Sequence, residues 1–239
     1  MHKESIVIGV LAVLFSFSSA AFAYETMEVK NGGSIEGTVE FAGANIPKDQ
    51  VVNVTPKYEY CGKTLPAERY LIKDKKIKNV VVYIEEIKAG KPVPSEPITL
   101  TNLKCAFVPH VAVGFKGNTF IERNDDPIFH NIHTYLGGKT MYNINLPGEG
   151  TSITKTLTKT GLIEVECESH HWMHGYIYVT DHPYATVTDD DGEFFLKDVP
   201  PGTYTVVAWH EMLDKVMEYN VKVESGKVTK LKLEYKKTK

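Results

Sequence analysis

The sequence predicts an all-β protein built from two sandwiches, and three observations predict it. Apolar residues recur at period two, the mark of half-buried strands, and helical periodicity is scarce. Only Trp209 to Tyr219 reads as a helical turn or two. Glycine, proline and Asp-Gly signals punctuate the chain throughout, as short strands require. The rhythm also changes near Ala185, and 239 residues suffice for two small domains.

Residues 1–23 read as an export leader. Lys3 gives a thin positive start, Ile6 to Phe17 form the apolar stretch, and Ala21-Phe22-Ala23 fits an A-x-A cleavage site. An uncleaved anchor is the competing reading, and Glu4 favours it slightly. Residue 24 is Tyr, not the Cys of a bacterial lipoprotein. No other apolar run is long enough to cross a bilayer. The expectation is a periplasmic or secreted chain that meets a membrane only through its signal peptide.

Ser34 to Phe41 alternates as a strand and ends at Ala42-Gly43. Val80 to Ile84 is a continuous apolar run, the pattern of a fully buried strand. Lys91 to Pro97 is a proline-rich connector. Ala106 to Phe115 and Asn118 to Asn124 read as two strands joined at Lys116-Gly117. Thr151 to Thr158 alternates, Gly161 to Cys167 leads a strand into a loop, and Gly175 to Val179 leads out of it. In the tail, Thr188 to Leu196 and Val199 to Ala208 are each a turn followed by a strand. Asp189, Asp190 and Asp191 suggest calcium, but the later acidic ligands of an EF-hand are missing, so an Asp-Gly hairpin turn is the reading.

Lys and Arg number 27 against 30 Asp and Glu. That balance argues against nucleic acid as a partner. Export places the cysteines in an oxidising compartment. There are three, Cys61, Cys105 and Cys167, which allow one disulfide and one free thiol. If Cys167 binds metal, Cys61 and Cys105 are left to pair, stabilising the fold by about 4 kcal/mol on the chain-entropy account. Two buried free thiols are the alternative.

Cys167-Glu168-Ser169-His170-His171-Trp172-Met173 offers a thiolate, an imidazole and a thioether three residues apart. Together with a second histidine this is the ligand set of a blue-copper site, in which soft sulfur favours Cu(I) and imidazole suits both oxidation states. His130, in the run Asn124 to His133, is the upstream candidate. His133 competes with it, and the two point to opposite faces of an extended strand. His171 competes with His170. Cys167 as an inert buried thiol and Met173 as core filler beside Trp172 are the bland readings. His171 and His174 fit an exposed loop. His110, His182 and His210 fit structural roles better than a second metal site. A dinuclear copper centre needs a second cysteine four residues away, but positions 163 and 171 are Ile and His. Glu166 and Glu168 flank Cys167, where multicopper oxidases and nitrite reductases carry a histidine. No nucleophile elbow, Walker loop or dinucleotide fingerprint is present. The chain reads as a non-enzyme.

The segments "FHNIH" (Phe129 to His133) and "CESHHWM" (Cys167 to Met173) resemble the cupredoxin family, most of all its amicyanin-like members with "PHNVH" and "CxPHxxM". The resemblance implies a Greek-key copper sandwich over 98–182, with one copper ion held by His130, Cys167, His170 and Met173. It also implies that Asn131 braces the ligand loop. Proline is absent before His130 and before His170, which departs from the pattern. The tail, Thr188 to Val206, resembles the carboxypeptidase regulatory-like (prealbumin-like) β-sandwich with its "TDxDGxFxLxxVPPGxYxV" run. Its usual early strands occur far upstream, so residues 30–95 and 183–237 are expected to form one sandwich split by the copper domain. Two tandem domains are the alternative. The function implied is one-electron transfer between redox proteins such as periplasmic cytochromes. Copper delivery, or docking to a larger complex around a structural metal, are the alternatives.

Overall fold

The structure is a computed structural model that describes residues 23–55 and 57–236. The expected leader, apart from Ala23, lies outside the described residues. The described chain is all-β apart from one 3-10 turn, Glu59–Cys61. Four main sheets carry the fold, and they stack face to face.

The central pair of sheets is built from residues 98–180. One sheet has the order Val111–Phe115, His174–Thr180, Gly161–Glu166, His130–Leu136, Lys139–Leu146. The other has the order Ala106–Val108, Ile98–Leu103, Thr119–Asn124, Ser152–Thr156. Leu100, Phe107, Phe120, Ile132, Ile163, Val165, Ile177 and Val179 close the core between them. Each such side chain contributes about 1.5–3 kcal/mol over an exposed one.

The outer pair draws on both flanks of that segment. Val81–Ile84 lies between Ala185–Val187 and Gly202–His210, and Leu213–Val223 follows at the edge. Gly33–Phe41 pairs antiparallel with Glu193–Val199 and parallel with Val228–Tyr235, from Ser34 opposite Val228 to Phe41 opposite Tyr235. Leu231 O and the Phe194 ring would lie within 3 Å of any Cβ at Gly37, so this crossing of strands needs glycine there.

The continuous apolar run at 80–84 now has its reason. Val80, Val82 and Ile84 enter the outer core, while Val81 and Tyr83 face the other way into a junction with Val111 and Val207. A strand covered on both faces has no polar side to show. Gly202–His210 behaves alike, with Val206 and Ala208 on one side and Val207 and Trp209 on the other.

Three expectations need correction. Trp209 to Tyr219 holds no helix; it is the turn and second arm of a hairpin, with Ala208 opposite Val216 and His210 opposite Leu213. Val206, Val207 and Ala208 are all fully buried, and that packing on both faces outweighs a weak local helical period. The run 106–115 is two strands, because Pro109 cannot donate to a ladder. Ala106–Val108 pairs with Ile98–Leu103, and Val111–Phe115 pairs in parallel with His174–Thr180 in the opposite sheet. Finally, residues 51–66 leave the outer sandwich. They form a hairpin, Val51–Asn53 against Thr64–Pro66, whose Val54 and Cys61 sit in the central core. A Cys61–Cys105 disulfide fastens this strap to the central sandwich.

Candidate metal centre

The site sits where two strands of one sheet end. His130 opens His130–Leu136, and Cys167 follows Gly161–Glu166. Pleating sends His130, Ile132 and Thr134 inward, and all three are fully buried. His133 faces the other way. Its ring stacks on Tyr135 at 4.1 Å and lies 2.8 Å from both Glu168 Oε1 and Thr140 Oγ1.

After Cys167 the chain turns tightly. His170 N donates to Cys167 O at 3.1 Å, and Met173 N donates to His170 O at 2.8 Å. This brings every third residue to one side. Cys167, His170 and Met173 are at most 2% exposed, whereas Glu168 and His171 face solvent.

Three of the four expected ligands converge. Cys167 Sγ lies 3.5 Å from His170 Nδ1 and 3.9 Å from His130 Nδ1, and the two Nδ1 atoms are 3.0 Å apart. Met173 is buried in the same core cluster as Cys167. Asn131 Oδ1 accepts the Glu168 N–H at 2.7 Å, and Asn131 N–H points at Cys167 Sγ at 3.5 Å. It thereby ties the strand that opens with His130 to the loop after Cys167.

Burial sets the electrostatics. It pushes His170 down to about 4, with the neighbouring His130 adding to the effect. It lowers His130 as well, against the opposing pull of Asp126. It raises the Cys167 thiol, against the backbone N–H groups of Asn131, Ser169 and His170. Both rings are thus held neutral, the form that ligates metal. His170 Nε2 is buried without a hydrogen-bond partner.

The strap covers the site. Tyr58 meets His170 edge-on at 4.4 Å and Trp172 at 5.6 Å, and its hydroxyl donates to Ser169 O at 2.7 Å. Trp172 Nε1 donates to Cys105 O at 3.1 Å. Sequence reasoning missed this cover, and it also missed Asp126, whose carboxylate lies 2.9 Å from His130 Nε2. Cys105, Asp126 and His130 form a second cluster of metal-ligating groups, but Cys105 sulfur is already spent in the disulfide.

His110, His182 and His210 have partners of their own. His110 meets Glu211 across the junction of the sandwiches. His182 Nδ1 accepts from Tyr184 N, and His210 Nδ1 from Met212 N. Asp189 Oδ1 accepts the N–H groups of Asp191 and Glu193, which makes the Asp-rich run a hairpin turn.

A thiol, two imidazoles and a thioether in a dry core suit a soft-to-borderline ion, and copper fits that set. The sequence profile of polysaccharide lyase family 4, domain II, matches residues 155–231. That is not the family its tail motif resembles. No curated protein is matched by the chain. Among solved structures, a Cu-containing nitrite reductase from Thermus scotoductus is 24% identical, over 41% of this chain and 25% of that one, with a TM-score of 0.34. A purple cupredoxin from Nitrosopumilus maritimus is 22% identical over 35% and 99% of the respective chains, at 0.31. Amicyanin from Paracoccus versutus is 17% identical over 41% and 97%, at 0.32.

Proposed function

We propose that this chain is an exported single-copper protein that passes one electron at a time between redox proteins. One observation carries the reading. The ligating atoms of His130, Cys167 and His170 lie within 4.8 Å of one another, and each residue is at most 1% exposed. Copper bound there supplies a Cu(I)/Cu(II) couple.

The chain's own residues do the rest. Cys167 binds through its sulfur, His130 and His170 through Nδ1, and Met173 is the weak fourth donor. Asn131 fixes the loop against the strand, which limits rearrangement of the ligands. Tyr58 and Trp172 keep water from His170. Lys57, Arg69, His171 and His174 line a groove beside the ligand loop, and we assign it to contact with a partner such as a periplasmic cytochrome. Such contacts are small and transient. We assign no catalytic residue. The outer sandwich we take as one regulatory-like domain interrupted by the copper domain, with the strap lent to the latter.

The test is a Cu(II) titration of the protein from residue 24 onward, followed by visible absorption and EPR. The expected result is an intense thiolate-to-copper band saturating at one copper per chain and lost in Cys167→Ser. Weak bands that survive Cys167→Ser would defeat the reading.

A further inference from the structure

Asp126 is 0% exposed and lies four residues before His130, which opens its strand. A fully buried carboxyl needs partners, and this one has four. Lys104 N donates to Oδ1 at 2.6 Å, Tyr60 OH donates to Oδ1 at 3.0 Å, and Cys105 N donates to Oδ2 at 2.8 Å. The fourth is His130 Nε2, 2.9 Å from Oδ2. The first three are donors, so both oxygens act as acceptors.

The cradle is built from distant pieces. Lys104 and Cys105 form the two-residue turn between Ile98–Leu103 and Ala106–Val108, and both have positive φ, at 52° and 60°. Such a turn ordinarily takes Asn-Gly. Here two ordinary side chains accept the left-handed backbone, and both N–H groups meet one carboxylate. Cys105 is further bonded to Cys61, the chain neighbour of Tyr60, so the disulfide holds the segment that supplies Tyr60 close to the turn that supplies Lys104 and Cys105.

Resting on the copper reading above, we propose that Asp126 is the positioning residue of the metal centre. Its carboxylate accepts a hydrogen bond from His130 Nε2–H. That fixes the ring as the tautomer whose Nδ1 lone pair points at Cys167 and His170. It also lays one fixed negative charge behind that ligand. With the Cys167 thiolate it makes two anionic charges at the site. These balance Cu(II) and leave a net negative charge with Cu(I), so Asp126 favours the oxidised ion.

The experiment compares wild type, Asp126→Asn and Asp125→Asn, the last removing an equal charge at a neighbour paired with Arg123 on the surface. Cu(II) and Cu(I) affinities are measured by chelator competition, and the midpoint potential by titration. Asp126→Asn should bind Cu(II) roughly tenfold or more weakly relative to Cu(I), with a raised potential, while Asp125→Asn stays close to wild type. If Asp126→Asn does not fold, nitrogen-15 NMR of the metal-free wild type decides. The expected finding is His130 as the Nε2–H tautomer with a slowly exchanging proton. An Nδ1–H tautomer, or a folded, coloured Asp126→Asn with an unchanged ratio, would overturn the proposal and leave the copper reading standing. A wild type that forms no thiolate–copper band would overturn both.

Discussion

Glu122 is 0% exposed in the central sandwich, and neither carboxyl oxygen has a hydrogen-bond partner. Its polar neighbour Asn102 directs its amide to Arg123 O at 3.2 Å and offsets only part of the cost of burial. Burial holds this carboxyl well above the usual carboxylate range. A group whose folded value is raised lends stability below the unfolded value and loses it as pH rises through the folded one. Glu122→Gln removes the titration, so the variant's urea midpoint should rise relative to that of wild type from pH 5 to pH 8. A constant gap would mean that Glu122 is already charged in the fold. At this scale the inward turn of Cys167, His170 and Met173 is legible in the sequence, because a spacing of three suits a tight turn that faces one way. Strand alternation makes His130 and His133 exclusive alternatives, and it is the burial of His130 that puts it, not His133, beside Cys167. Asp126, Tyr58 and Glu122 are not legible, since their meaning lies in contacts with residues remote in sequence. The nearest signal for Asp126 is its place four residues before a histidine, with Asn124 Oδ1 accepting its N–H at 3.0 Å.

Among the elements, the strap at 51–66 is the piece that periodicity fails to assign. Its strands are three residues long, and its hold on the central core runs through Cys61, Val54 and the cover by Tyr58. A disulfide with a sequence separation of 44 stabilises by about 4 kcal/mol through loop closure. The Cys61→Ser/Cys105→Ser variant should therefore lose about that much in denaturant unfolding, and release copper to a chelator faster as the strap loosens. Unchanged stability would show that the strap is held by packing alone. Long alternating strands such as Gly33–Phe41 are plain in the sequence. The first arm of the hairpin after Gly202 is legible too, but the second, Leu213–Val223, is not, because a weak helical period at Trp209 to Tyr219 competes with it.

Over the whole molecule, the junction makes one stack out of two sandwiches. Val81, Tyr83, Val111 and Val207 form its buried centre, with Tyr176 meeting Trp209 at 5.4 Å and Tyr83 meeting Tyr178 at 4.6 Å. His110 and Glu211 close one side. Val207 is fully buried, so Val207→Asp places an unpaired charge there, at a cost of roughly 3 kcal/mol or more. Calorimetry should show wild type melting in one transition and Val207→Asp in two. One transition at the wild-type temperature would mean that the sandwiches melt independently of this contact. The all-β class is legible from composition and rhythm. The stacking is not, because the outward face of a sheet reads the same whether another sheet or its own sandwich partner covers it.

The parallel pairing of Gly33–Phe41 with Val228–Tyr235 joins almost the two ends of the described chain. A strand near the start thus waits for one of the last to arrive. Residues 98–180, which carry every proposed ligand, need no such wait, since all their sheet partners lie within that span. During synthesis the interior of this chain can close first, and its ends then clasp around it. The order of emergence and the order of assembly run in different directions.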